Sequence, residues 1–167
     1  LSVPGTREII INEIMFDPAG QDTGKEWIEL YNPTNTPVDI YGWEIRDCAD
    51  QKFKLTGPDL LIDPGEFVVV GASTDDTING GLSVDVSYGT GFYLPNTVGS
   101  VLLFSGPGPS ATLIDQVRYM VFQEWDWFES GHSISRVNPQ ADGTVSSSWQ
   151  LSSDTYGSGD NFGTPGE

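Results

Sequence analysis

The chain has 167 residues, 37% of them hydrophobic and 11% aromatic, with 5 Trp, which suffices for one domain with a sizeable core and excludes a disordered polymer. Its 24 acidic and 7 basic residues give a formal net charge of -17, a surface that repels phosphate and so excludes nucleic-acid binding and disfavours an anionic membrane. The single cysteine, Cys48, excludes an internal disulfide scaffold and a CxxC zinc site, and no stretch reaches the ~18 apolar residues of a membrane span.

Residues 1–8 read as a linker running into the start of a first strand, and 9–167 as one domain. The opening lacks the basic end and apolar run of a signal peptide, so the chain is expected to be cut from a longer chain or a processed precursor. Residues 7–16 are rich in β-branched side chains and stop at Asp17-Pro18. After a polar loop, residues 26–31 alternate with a period of two: Trp27, Glu29 and Tyr31 share one face, Glu26, Ile28 and Leu30 the other. Short strands are expected at 38–40, 43–47 and 52–55, and 67–70 is a continuous apolar run suited to a buried strand. Residues 73–91 are rich in Gly, Asp and Thr and read as a long surface loop. Strands follow at 101–104, 113–119 and 132–137, with an edge at 149–151, a short helical turn around 123–128 and a polar, Gly-rich tail from Ser152. About nine short antiparallel strands between turns, without strand–helix alternation, predict an all-β sandwich.

Trp27 and Trp43 are predicted core, each worth about 3–5 kcal/mol against Ala. Glu13, Glu29 and Arg136 interrupt apolar strand patterns. Facing inward, they need partners, because an unpaired buried charge is very costly. The expectation is that Arg136 pairs with Glu13 or Glu29; the competing reading is an exposed Arg136 at a sheet edge.

One ordered series of motifs carries a resemblance. Ile11-Asn12-Glu13-Ile14-Met15 is followed by Glu26-Trp27-Ile28-Glu29-Leu30-Tyr31-Asn32-Pro33, Val38-Asp39-Ile40, Gly42-Trp43 and Asp47. Then come Pro64-Gly65-Glu66-Phe67-Val68-Val69, Leu94-Pro95-Asn96, Ile114-Asp115 with Tyr119, Gly131-His132-Ser133-Ile134-Ser135-Arg136, Trp149 and Gly163-Thr164-Pro165-Gly166. In order and spacing this resembles the lamin tail domain family in its bacterial branch. The resemblance implies an immunoglobulin-like β-sandwich. It also implies a non-catalytic interaction or targeting module of a larger exported or surface bacterial protein, with an unidentified protein or polysaccharide partner and an extracellular or cell-surface location. The 73–91 loop has no counterpart in the family pattern, which makes it the expected seat of any function peculiar to this chain.

Other chemistries were weighed on the residues themselves. Gly131-His132-Ser133-Ile134-Ser135 approaches a nucleophile elbow but has Ser135 for the second glycine, and the sole histidine points to the opposite strand face from Ser133. A hydrolase using two carboxylates remains an alternative, since 24 acids bring close pairs by chance. Trp125 and Trp127 flank Asp126; exposed together they would form a platform for carbohydrate, and buried they would be core. No cofactor is required, but a calcium site is expected to draw on acidic loops, with Asp17 and Asp22 as candidates. Asp75, Thr77, Asn79 and Gly80 begin like an EF-hand loop, yet its twelfth position is Val86 where a bidentate Glu is needed.

Overall fold

In the computed structural model the described residues are 7–167; residues 1–6 of the predicted 1–8 linker segment lie outside them. One sheet contains β1 (Ile10–Met15), β2 (Trp27–Tyr31), β7 (Phe67–Gly71), β8 (Val86–Ser87), β11 (Ile134–Arg136) and β12 (Trp149–Leu151), in the order β12-β11-β1-β2-β7-β8. The facing sheet contains β4 (Glu44–Arg46), β5 (Lys52–Lys54), β9 (Val98–Phe104) and β10 (Leu113–Met120), in the order β10-β9-β4-β5. Two small ribbons, β3 (Val38–Asp39) with β6 (Leu61–Ile62) and β13 (Thr155–Tyr156) with β14 (Asn161–Phe162), complete the strands. Strand pairing is antiparallel except for the two-residue β7–β8 pair. The predicted sandwich is therefore the fold, with more and shorter strands than the sequence pattern resolves.

The core lies between the two sheets. Ile28, Leu30 and Val70 from one sheet meet Val101, Leu103 and Val117 from the other, with Trp43 among them. The β1 strand reaches this core through a bulge. Ile11 and Ile14 are three apart yet both enter the core, because the β1–β2 register shifts between Ile11 and Glu13 and one extra residue reverses the alternation. A second shift, between Leu113 and Asp115 on β10, accompanies the turning of Asp115 into the interior.

The β2 alternation read from sequence holds, but its two faces enter different cores. Ile28 and Leu30 pack between the sheets, whereas Trp27 joins Met15, Val69 and Leu82 on the outer face of the six-stranded sheet. The polar, Gly-rich tail covers that face. Tyr156 meets the Trp27 ring edge-on at 5.8 Å, and Trp27 Nε1 donates to Tyr156 Oη at 2.9 Å.

Residues 73–91 are not a plain surface loop. They form the crossover to β8 through one helical turn, α1 (Asp76–Asn79), and bury Leu82, Val86 and Tyr88. The 123–128 segment turns without forming a helix and lays Trp125 on Tyr119, ring centroids 6.5 Å apart.

Candidate functional site

The buried charges have internal, structural partners. Arg136 Nη2 donates to Asp115 Oδ2 at 2.6 Å with both side chains inaccessible to solvent. Its Nε donates to Ile11 O at 2.9 Å and its Nη1 to Ala141 O at 2.7 Å. Arg7 Nε lies 3.2 Å from the other Asp115 oxygen, and the Arg136 guanidinium stands 4.8 Å from the Trp149 ring centre. The expected pairing of Arg136 with Glu13 or Glu29 is thus corrected to Asp115, and the exposed-edge reading is corrected too. The reason is strand periodicity: Arg136 shares the inward face of β11 with Ile134, while Ser133 and Ser135 look outward to the side where Glu13 sits.

Glu13 and Glu29 stand opposite each other across β1 and β2, fully buried beneath the tail. Glu13 accepts from Ser133 Oγ, from Ser152 Oγ at 3.0 Å, from Thr164 N at 2.9 Å and from Thr164 Oγ1 at 2.7 Å. Glu29 accepts from Asn12 Nδ2 at 2.8 Å and Gly166 N at 2.5 Å. Burial pushes the Glu29 carboxyl up to about 8, opposed by the Gly166 and Asn12 hydrogen bonds and assisted by the nearby charges of Glu13 and Asp85. A raised acid beside a second carboxylate matches the outline of a hydrolytic pair, but the tail lies over both. The elbow-like motif is likewise spent on structure. Ser133 serves Glu13, while His132 stacks on Phe162 at 4.2 Å with Nδ1 2.8 Å from Ser152 O.

The EF-hand-like residues have local duties as well. Asp75 Oδ1 caps α1, accepting from Thr77 N at 2.9 Å and Thr77 Oγ1 at 2.6 Å. Asn79 is buried and ties together Ser73 O, Leu82 O, Gly81 N and Leu82 N, and Gly80 ends the turn in the left-handed region at φ 81°. Asp17 Oδ1 accepts from Asn96 Nδ2 at 2.8 Å. Asp22 lies near enough for the Asp17 charge to reinforce the upward shift that burial imposes on it, against the Asn96 hydrogen bond. Among the described residues no three carboxylate, imidazole or thiol groups converge as metal ligands.

Two concavities and several exposed apolar side chains lie at one end of the sandwich. Two adjoining concavities flank Pro95. The first, of about 490 Å³, is lined by Asp47, Val98, Tyr119, Met120, Gln123 and Glu124 among others. The second, of about 560 Å³, lies between the loop preceding β2 and the loop preceding β9, with Glu26 and Asp22 in its lining. Val98 and Met120 are cross-strand partners, both exposed; the exposed Tyr93 lines the second concavity, and the 81% exposed Phe122 stands two residues beyond Met120 in sequence. Trp125 forms part of the wall of the first concavity but offers almost no exposed surface. It is 1% exposed, set between Trp127 at 5.4 Å and Trp149 at 6.3 Å, and Trp127 is a partly buried side chain packed on the core. The exposed Trp125–Trp127 platform is corrected to core packing.

Sequence reasoning placed Trp27 and Trp43 in the core and marked Glu13, Glu29 and Arg136 as charges needing partners if they faced inward; all five are buried. It missed Glu26 and Asp115. For Glu26 the signal was present: it shares the period-two face of Ile28 and Leu30, so it had to point at the interior side of β2. For Asp115 the signal was an acid inside an apolar strand, but the bulge that aims it is not visible in the pattern.

No curated protein matches the chain. A family model described as Lamin Tail Domain matches residues 2–122, a span holding β1 to β10 and thus the whole four-stranded sheet and both concavities except their 123–144 margin. The match and the two-sheet architecture agree: the chain belongs to the lamin tail domain family of non-enzymatic, immunoglobulin-like domains.

Proposed function

We propose that this domain is a recognition module that positions a larger exported or surface protein, and that it engages a protein partner through the loop end of the sandwich around Pro95. The observation carrying this reading is the exposure of Tyr93, Val98 and Met120 in the linings of two concavities that share Pro95, with the exposed Phe122 two residues beyond Met120. Single exposed apolar side chains are ordinary, whereas a rimmed group beside a concavity marks a contact surface. Loops at the end of a rigid sandwich are also where this architecture places binding residues. The acidic surface favours a basic partner and steers its approach. A carbohydrate platform has lost its support with Trp125 in the core.

The test is retention of a fluorescent fusion of the domain on the cell surface or extracellular material of its source. Changing Val98 and Phe122 together to Ser abolishes retention with a change in stability of less than about 0.5 kcal/mol per surface site, while Leu61→Ser, at an exposed position beyond the opposite end of β2, leaves it intact. Equal retention of all three proteins contradicts the assignment.

A further inference from the structure

The carboxylates of this fold are met in different ways. Asp115 has two arginines, Glu44 has Arg46 at 2.9 Å, and Glu13 has four hydrogen-bond donors. Glu26 has no arginine and fewer donors. It is 7% exposed and lines the second concavity, whose lining contains no Lys, Arg or His. Leu94 N donates to its Oε2 at 3.0 Å and Tyr88 Oη approaches the same oxygen at 3.5 Å; among the described residues no donor meets Oε1. Asp22 lines the same concavity, and its Oδ1 is buried without a hydrogen-bond partner. Burial, opposed by the Leu94 N–H and reinforced by Asp22, lifts Glu26 to about 7, as befits a carboxylate with no cation beside it.

The walls above these acids are apolar, formed by Ala72, Ile78, Phe92, Tyr93, Leu94 and Pro95. A neutral apolar occupant would leave a buried carboxylate unpaired, which is costly. A bare divalent ion would find too few converging ligands. An ammonium on an aliphatic stem satisfies both parts of the site: methylenes lie along apolar walls while the charged head reaches oxygen. The ammonium's compact charge and three rotatable donors suit two carboxylates four residues apart on the loop preceding β2, and the net charge of -17 favours a basic partner.

We infer that this concavity receives a lysine side chain of the protein partner, with the ammonium on Glu26 and Asp22 and the methylenes against Ile78, Phe92 and Leu94. This rests on the loop end being the recognition face.

The experiment is an amide NMR titration of the domain with an end-capped Gly-Lys-Gly peptide, its norleucine counterpart, butylamine and calcium chloride. The lysine peptide moves the Leu94, Ile78 and Asn96 amides, and the norleucine peptide does not. Glu26→Gln weakens lysine binding about tenfold or more, as loss of a charged hydrogen-bond partner does. Ile78→Lys, at a half-exposed position, supplies a competing ammonium and also blocks the peptide, which keeps the test open should Glu26→Gln fail to fold. Binding unchanged in both variants overturns the inference, as does an equal response to norleucine. Butylamine matching the peptide in affinity, or calcium alone moving Leu94, overturns the partner assignment. A domain blind to lysine that still loses retention in the Val98/Phe122 variant overturns the pocket and leaves the loop-end reading standing. Intact retention in that variant overturns the loop-end reading and the pocket's partner with it.

Discussion

Arg136 and Asp115 form a contact whose value depends on both members being present. Removing one leaves the other charged and dry, which costs about 3–5 kcal/mol. Arg136→Met is therefore expected to lower Tm steeply, and Arg136→Met combined with Asp115→Leu to recover part of the loss; an unchanged Tm in the single variant contradicts the buried pair. Burial draws Arg136 down to about 10, so it stays protonated at neutral pH. Glu29 behaves in the opposite sense. Its carboxyl titrates near 8 in the fold against an ordinary 4.5, so the folded state holds a proton that the unfolded state releases. Its stabilising contribution is complete below about pH 4.5 and is lost as pH rises towards about 8. Glu29→Gln should make the decline of stability between pH 5 and 8 shallower, though not flat, because Glu26 titrates near 7. Identical pH slopes in the two proteins contradict the shift. Which residues turn inward was legible from period-two alternation; which partner each one meets was not. Arg136 and Glu13 lie on opposite faces of neighbouring strands, and the Asp115 that Arg136 meets arrives from the other sheet.

At the scale of elements, the tail and the crossover were the least legible parts. Both are polar and glycine-rich, a composition shared by free loops and by segments that satisfy buried groups through backbone and short side chains. The crossover turns Asp75, Thr77, Asn79 and Gly80 into a cap, a plug and a left-handed stop, which is why a cation-loop signature began there and then failed. The tail supplies Ser152, Thr164 and Gly166 to the two outward-facing glutamates and Tyr156 to Trp27. Gly163 passes so close that an added Cβ would sit 3.0 Å from the Trp27 ring. Removal of residues 154–167 should therefore expose Trp27, shift tryptophan emission to longer wavelength and lower Tm. Unchanged emission would show that the tail is not the cover of this face. Trp43 and Trp27 were both legible as core, but not that they belong to separate clusters, because alternation reveals two faces without revealing that the outer one is also covered.

For the molecule as a whole, the fold class followed from short alternating strands and frequent turns, and the structure adds how the ends differ. The end carrying the β3–β6 ribbon is built on tight turns, one of them held by the buried Asn32 amide donating to Thr36 O and Ile62 O. The other end carries the two concavities and the exposed Tyr93, Val98, Met120 and Phe122. With the buried charges engaged in packing and the acid pair covered by the tail, this loop end is the proposed recognition face. A photo-activatable phenylalanine analogue placed at position 122, and separately at 61, tests that directly in the source organism. The account predicts a discrete adduct from position 122 that disappears when Val98 is changed to Ser, and none from position 61. An adduct from position 61 alone would contradict it.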